Sequence, residues 1–462
     1  MSRVRVDIAS IVLIGWLVAA CGANPVTSPS ASSRPAVSAS PAPPSDAVAG
    51  SPPPSSSGAT DAAASRLADL DYLVERLKVI HPNPFLDEGE AAFLGRVAKI
   101  REDVASMTDT GFLIAVMDLM GHRERDGHSG AWAMAQQNSL LHAWPIWLWD
   151  FPDGLRVVAA RDPYGDLVGA RLMMVGDASV EDAMATVESL VPRDNDSTRR
   201  GNLPIYLTLP EVVGELGLVK PGDPGLTFEL LDGTTREVTP DPLPLAQFRD
   251  WIFGQYRGLY PEALPPNADG PLYQRHHDLA FWSEAVKKPA GLYVGYNAVQ
   301  RSSGSQTMEE LAATVTSAAN ADPERPIVVD LRNNGGGDNN TYGPLRRALE
   351  AAAHASPGSV RLITGRATFS AAGNFVTDLL VGPEKAGIRL IGESPGGGLD
   401  MYGDVRVVTL PASKIVVLIS SRYHERAPGD TRLAFTPDVP VEVTWADYAA
   451  GRDPVLEAAL RP

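Results

Sequence analysis

Apolar residues recur at helical spacing in the first third of the chain. In ASRLADLDYLVERLKVIHP, leucine, valine and isoleucine return every three or four positions, and the pattern stops at Pro82. The segments AAFLGRVAKIREDVASM and DTGFLIAVMDLMGH show the same period. Such spacing places apolar side chains on one face of a helix. The pattern therefore predicts an N-terminal helical unit over residues 61–140, which ends in the loop that contains the letters DGHS.

The period becomes strand-like from about residue 141. PIWLWDFPDGLRVVAARDP contains two apolar runs around a turn at Asp153-Gly154. LVGARLMMVGDASVEDAMATVESLV predicts a strand, a turn and a helix that starts at Val180, an order that weakly resembles half of a PDZ-like unit. Short strands between proline-rich loops fill residues 205–290. We expect residues 141–289 to be β-rich, and their topology is left open.

From residue 290 to residue 462, apolar strands alternate with amphipathic helices. Strands are predicted in GLYVGYNAV, PIVVDLR, SVRLITG, GIRLIGE and KIVVLISSR, and helices in MEELAATVTSAANA, GPLRRALEAAAHA and SAAGNFVTDLLVG. Strands that are apolar throughout are typical of a sheet covered on both faces. The C-terminal part is therefore expected to be an α/β core.

The start of the chain has the features of an export signal. Arg3 and Arg5 precede an apolar run, Ile8 to Ala20, which is shorter than the ~20 residues that a membrane span needs. The run ends in small residues before Cys21, and this resembles a bacterial lipobox. The resemblance implies that residues 1–20 are a lipoprotein signal peptide and that Cys21 carries lipid on its sulfur. A plain secretory signal with an incidental cysteine is the alternative.

Residues 21–60 consist mainly of proline, serine and alanine. Such a segment cannot bury enough apolar surface to offset the entropy of ordering it. It is predicted to be a disordered tether between the anchor and the folded body. Together with the lipobox, it predicts a lipid-anchored, extracytoplasmic protein of the cell envelope.

Charge and cysteine content exclude several classes of function. The chain of 462 residues carries a formal net charge of −16, which argues against nucleic acid or an anionic membrane surface as the main partner. Cys21 is the single cysteine, so neither a disulfide within the chain nor a thiolate metal cage can form. No metal or cofactor is expected.

Three glycines, Gly335 to Gly337, follow directly on the predicted strand PIVVDLR. Glycine allows a positive φ and lets a ligand approach the backbone amides, which suit an anion or an oxyanion. A flexible turn is the simpler alternative. A phosphate-binding P-loop is excluded because no Gly-Lys-Ser/Thr follows.

Ser370 stands where the helix in SAAGNFVTDLLVG should begin. An isolated serine there is most often an N-cap. A nucleophile at the same place would find the Ala371 amide and the positive end of the helix dipole available for a developing oxyanion. The base that such a serine needs is His128, whose surroundings RDGHSGAW predict an exposed polar loop.

The same loop, GHSGA, is one residue short of the G-x-S-x-G nucleophile elbow. That elbow follows an apolar strand, whereas polar GHRERD precedes this one, and alanine stands at position 131. Ser129 is therefore rejected as an elbow nucleophile.

Five segments in order carry a resemblance to a known family: DGHS, VVDLRNNGGG, TFSAAGNF, LIGESPGGG and TPDVPVEVTWADYAAGRDPVLEAAL. Together they resemble the tail-specific (C-terminal-processing) serine peptidases and their tricorn-core and retinol-binding-protein-like relatives. The resemblance implies a ClpP/crotonase-like αβ core in which Ser370 is the nucleophile. It also implies an oxyanion hole made by the amides of Ala371 and one loop glycine, most simply Gly336.

The chain departs from the tail-specific branch at the general base. That branch has a lysine in a Gly-Lys-Gly, and the matching stretch here is Gly396-Gly397-Gly398, while Lys385 and Lys414 are misplaced for the role. The tricorn-like branch uses histidine, and here the DGHS segment supplies His128 with Ser129 beside it.

The acidic residue of the tricorn-like branch is also missing from its usual position. The tricorn-like branch has a glutamate shortly before a Pro-Asp pair, and no glutamate precedes Pro437-Asp438 here. Asp430 and Glu393 are the two candidates for orienting the base.

Two classes of function remain. The first is a lipid-anchored serine peptidase that cleaves peptide or protein substrates. The second is an inactive relative that binds peptide or an apolar ligand in the same cleft, because a fold alone does not fix function. Joint presence of Ser370, His128 and the glycine loop favours the enzyme.

Overall fold

A computed structural model of the chain describes residues 56–121, 123, 125–254, 265, 267–382 and 387–461. The predicted signal peptide, Cys21 and the tether up to residue 55 lie outside these ranges. Within them, no helix combines the length and the apolar character needed to cross a membrane.

The three predicted N-terminal helices are confirmed: α1 (Ser56–Ile80), α2 (Glu90–Asp103) and α3 (Asp109–Gly121). Helix α1 begins inside the segment assigned to the tether, because a helix that is nucleated by a strongly periodic sequence extends into neighbouring residues. On its apolar face, Leu70, Leu73 and Leu77 are fully buried.

The middle region is built around an antiparallel sheet, as the strand-like period predicted. The strands run in the order β2-β3-β4-β6-β7, with β5 paired to β4. Helix α4 begins at the predicted residue, Val180, after Ser179 accepts a hydrogen bond from the Asp182 N–H. The elements are β1 (His142–Ala143), β2 (Ile146–Phe151), β3 (Gly154–Ala160), β4 (Arg171–Val175), β5 (Ala178–Ser179), α4 (Val180–Val187), α5 (Asp196–Tyr206), α6 (Pro210–Glu215), β6 (Leu226–Glu229), β7 (Thr235–Val238), β8 (Leu243–Pro244) and α7 (Leu245–Arg249).

The C-terminal part contains the predicted sheet. Its order is β18-β15-β14-β13-β10-β9, parallel except for β9. Two apolar clusters cover its two faces, one with α8, α9 and α10 and the other with α12. The elements are β9 (Phe281–Lys287), β10 (Ala290–Tyr296), β11 (Ser302–Ser303), β12 (Gln306–Thr307), α8 (Met308–Ala321), β13 (Ile327–Asp330), α9 (Gly343–Ala355), β14 (Val360–Thr364), α10 (Ala371–Val381), β15 (Ile388–Gly392), β16 (Met401–Thr409), β17 (Val416–His424), β18 (Val439–Pro440), α11 (Trp445–Ala449) and α12 (Pro454–Leu460).

One apolar strand does not join this sheet. KIVVLISSR forms β17, which pairs with β16 as a separate antiparallel hairpin. Val417 and Ile419 pack into the same apolar cluster as the N-terminal helices. Gly130 of the DGHS loop also pairs with Leu418 through two backbone hydrogen bonds of 3.0 and 2.9 Å. The hairpin therefore joins the N-terminal unit to the C-terminal core, a long-range contact that local periodicity does not reveal.

The charged residues at the end of β13 have a structural role. The Arg332 guanidinium donates to Asp330 at 2.7 Å and to Asp453, the N-cap of α12, at 2.9 Å. It also lies over the Tyr273 ring, 4.3 Å from the centroid. Removing one partner of such a buried network typically costs about 3–5 kcal/mol. The network fixes the point at which the chain leaves the sheet for the glycine loop.

Candidate active site

Ser370 immediately precedes α10 in a backbone conformation that L-residues rarely adopt. Its φ is 55° and its ψ is −126°, and its side chain caps no helix N–H. The N-cap alternative therefore does not account for this serine. Strain of this kind costs of order 1–3 kcal/mol and persists where the surroundings enforce it, often at active sites.

Hydrogen bonds to the residues that follow β13 hold this turn in place. The Phe369 N–H donates to the Asn334 carbonyl at 3.0 Å, and the Thr368 hydroxyl donates to the Leu331 carbonyl at 2.8 Å. Asn334 is itself fixed because its side-chain amide donates to the Tyr296 carbonyl at 2.8 Å. The polar residues after β13 thus hold the serine turn against the end of the strand.

Gly336 lies directly against the serine. Its φ is +115°, and a Cβ placed on it would lie 2.6 Å from the Ser370 Cβ and 3.0 Å from the Ala371 nitrogen. No side chain fits that gap. The glycine loop is therefore a close approach of backbone to the nucleophile candidate rather than a mere flexible turn.

The two predicted oxyanion donors differ in their hydrogen bonding. In the described part of the chain, the Ala371 N–H has no partner, as befits the first helical residue. The Gly336 N–H instead donates to Asn334 Oδ1 at 3.0 Å. The geometry thus leaves Ala371 open to a substrate oxygen, whereas the Gly336 amide must first leave the asparagine.

His128 lies beside the serine turn. Its ring stacks on Phe369, with the two centroids 4.3 Å apart and the planes at 25°. The prediction of an exposed loop is wrong, since only 7% of the His128 surface is exposed. Burial is the main cause that lowers the pKa of His128 to about 4. The ring is therefore neutral at pH 7, the form that a general base requires.

Among the described residues, neither ring nitrogen of His128 makes a hydrogen bond of ordinary geometry, although the Tyr402 backbone is close enough to raise the pKa of the ring slightly. Buried polar atoms without partners are rare in folded proteins. The imidazole thus lies against Phe369, the residue before Ser370, and is hydrogen-bonded neither to the serine nor to an orienting carboxylate.

A buried carboxylate fixes the DGHS loop. Asp126 accepts hydrogen bonds from Arg123 at 3.1 Å, from His81 at 3.0 Å and from the Ser420 hydroxyl at 2.7 Å. Burial by itself would raise the pKa of Asp126, but His81 and Arg123 outweigh it and hold the value at about 2. The loop is thus tied to β17.

Ser129 belongs to the same connection. Its hydroxyl accepts a hydrogen bond of 2.9 Å from the Ser420 N–H, and the residue is fully buried. This supports a structural role beside His128 and agrees with its rejection as a nucleophile.

The two carboxylates proposed to orient the base contact arginines. Glu393 accepts from the Arg366 guanidinium at 2.8 Å, and Asp430 accepts from Arg432 at 2.6 Å. Because the His128 nitrogens make no hydrogen bond of ordinary geometry in the described chain, neither carboxylate is hydrogen-bonded to the ring. Direct orientation by either one is therefore not seen.

The position at which the resemblance places a lysine is filled by backbone. The Gly397 N–H donates to the Thr368 carbonyl at 2.8 Å, and a Cβ on Gly397 would lie 3.4 Å from the Phe369 Cα. Lys414 lies in the hairpin turn, where its ammonium donates to the Pro411 carbonyl at 2.7 Å. Lys385 lies outside the described residues.

Sequence reasoning missed Asp194, which bridges the two loops around the serine. Its carboxylate accepts from the Gly127 N–H at 2.6 Å and from the Gly398 N–H at 3.1 Å. Burial is the main cause that raises the pKa of Asp194 to about 7, against the pull of these two amides. Nothing in PRDNDS distinguishes this aspartate from a solvated one, because its partners are backbone groups far away in the chain.

The fold resembles that of a solved structure. A serine-to-alanine mutant of CPAF has a crystal structure that matches with a TM-score of 0.56 and 13% identity, over 84% of this chain and 95% of that one. At this identity the likeness concerns the fold alone. The ClpP/crotonase-like core and the PDZ-like half remain predictions.

Two further solved structures are more distant. A predicted peptidase from Parabacteroides merdae matches with a TM-score of 0.30 and 17% identity, over 47% of this chain and 73% of that one. A predicted S41 protease from Bacteroides fragilis matches with a TM-score of 0.28 and 14% identity, over 69% and 82%. No protein-family model and no curated protein matches the sequence significantly.

Proposed function

We propose that the protein is a serine peptidase of the tricorn-like S41 type, with Ser370 as nucleophile and His128 as general base. The observation that carries the proposal is the Ser370 turn: a strained serine at a helix N-terminus that caps no amide and touches the Gly336 backbone. The similarity of the fold to the CPAF structure supports this role.

The proposed reaction is acyl transfer in two steps. The Ser370 hydroxyl attacks the peptide carbonyl while neutral His128 takes its proton, and the oxyanion is stabilised by the Ala371 N–H and an amide of the glycine loop. The imidazolium then protonates the leaving amine, which departs and leaves an acyl-enzyme. Water, deprotonated by His128, releases the second product and restores the serine.

One observation favours the alternative, a non-catalytic cleft that binds peptide. Among the described residues, no hydrogen bond joins His128 to Ser370. Catalytic hydrogen bonds are often absent without substrate and form only in the complex. The two functions therefore have to be separated by the reactivity of the serine, because the absence of this hydrogen bond does not distinguish them.

A fluorophosphonate probe separates them. We expect wild-type protein to be labelled covalently and Ser370→Ala to lose the label. Ser179→Ala is a matched control, since Ser179 is an ordinary N-cap that accepts from the Asp182 N–H at 3.1 Å; its labelling should persist. A folded wild-type protein that resists the probe would support the binding function.

The lipid anchor is a separate proposal, supported by the lipobox and by the composition of the tether. We expect Cys21→Ser to release the protein from the membrane fraction into the soluble fraction, because the sulfur that would carry lipid is lost. Fractionation followed by immunoblotting measures this. An unchanged distribution would reject the lipoprotein hypothesis.

A further inference from the structure

A second histidine and an aspartate lie close to His128, on the β16–β17 hairpin. The His424 Nε2 and an Asp404 oxygen are 3.2 Å apart. Gly403 separates this pair from the base: a Cβ placed on Gly403 would lie 3.4 Å from the His424 Nε2 and 3.9 Å from the His128 Cε1. The lack of a side chain at Gly403 therefore lets the two imidazoles approach the same point.

The pair is held in place by the hairpin. Asp404 has a φ of 54°, a strained value for a residue other than glycine. Its carbonyl accepts from the Ser421 hydroxyl on the paired strand, and its carboxylate lies 3.7 Å from the Arg422 guanidinium. The paired strand thus fixes the place of Asp404 in the hairpin.

The charges that act on His128 come from three groups. Asp126 and Asp404 raise its pKa, and His424 lowers it. Asp126 is already engaged by Arg123, His81 and Ser420. Asp404 has fewer partners, because it is bonded to His424 and loosely paired with Arg422. It is thus the carboxylate better able to respond when the buried imidazole becomes a cation.

We propose that Asp404 stabilises the imidazolium that forms when His128 takes the Ser370 proton, and that His424, which shares the Asp404 carboxylate, limits this stabilisation. Asp404 and His424 are positioning residues here, since neither touches the reacting atoms. This inference rests on the proposed function for its role in turnover, and it replaces Glu393 and Asp430 as the acidic component.

Two substitutions should shift the titration of His128 in opposite directions. Asp404→Asn removes an anion and should lower the pKa of His128 by about one pH unit, whereas His424→Gln removes a group that lowers it and should raise it. The measurement is NMR titration of the ¹³C-labelled Cε1–H of His128, assigned with a His128→Gln variant. This readout does not need activity.

Turnover gives the second readout. We expect Asp404→Asn to lower kcat about tenfold, and the acid limb of the rate profile to move with the NMR pKa. Asp404→Glu should recover part of the loss. Glu211→Gln is the matched control, because Glu211 accepts from His142 at 2.7 Å in an analogous pair on β1 and α6, and neither measurement should change.

Each outcome decides the inference. Opposite shifts support the positioning role even if the protein proves to be a binding module, in which case the catalytic part alone fails. No shift, or shifts of the same sign, would overturn it. If Asp404→Asn does not fold, His424→Gln decides alone: an upward shift supports the role, and an unchanged or lower value rejects it.

Discussion

The Ser370→Ala and His128→Ala variants should each hydrolyse peptides about 10⁴-fold or more slowly than the wild type. The double variant should be hardly slower than either single variant. The reason is that a nucleophile and its base act as one unit, so that losing either already removes the whole benefit. Steady-state kinetics on a peptide library, with the fragment from residue 61 onward, measure all three variants.

Lys414→Ala is the matched control for a lysine base. Its ammonium donates to the Pro411 carbonyl in the hairpin turn, so its removal should cost little. Near-full turnover in His128→Ala would mean that another group is the base or that Ser370 is not the nucleophile. A large loss in Lys414→Ala would point to the lysine.

The pH dependence follows from the environment of His128. An ordinary histidine would give activity that rises with pH near ~6.5. Burial lowers the pKa of His128 to about 4, so the ring is deprotonated and competent at every pH above that value. We therefore expect activity to rise across pH 4 and to change little near 6.5. A rise centred near 6.5 would mean that the ring is more hydrated in the working enzyme.

The second large effect is expected at the glycine loop. Gly336→Val should lower turnover by about 10²-fold or more, the scale of one lost oxyanion donor. The structure adds a steric reason, since the new Cβ would lie 2.6 Å from the Ser370 Cβ and would displace the serine. Turnover is measured together with thermal unfolding, which shows whether the variant remains folded.

Gly233→Val is the control for this substitution. Gly233 also has a positive φ, of 81°, but a Cβ there meets nothing within 4 Å. It should therefore show the backbone cost without the contact, and turnover should be unaffected. If a folded Gly336→Val protein kept its full turnover, the glycines would be no more than a turn.

The elements with strong periodicity were predictable from the sequence. MEELAATVTSAANA and GPLRRALEAAAHA are helices with the predicted limits, Met308–Ala321 and Gly343–Ala355, and the helix predicted at Val180 begins there. These segments carry an amphipathic pattern or a capping residue that local interactions alone can use. The sequence also placed Ser370 next to a helix N-terminus and the glycines at a strand end, since both follow from local pattern.

Contacts between distant segments were decided only by the tertiary structure. The pairing of Gly130 with Leu418, the Asp194 bridge to Gly127 and Gly398, and the Asp404–His424 pair beside His128 all join residues that lie far apart in the chain. Burial, which local composition cannot report for a polar loop, made His128 an enclosed, neutral imidazole instead of an exposed one. The sequence thus determined which residues stand at the ends of strands and helices near the site. Their hydrogen bonds, their burial and the resulting pKa values depend on long-range packing, because desolvation and charge act through space rather than along the chain.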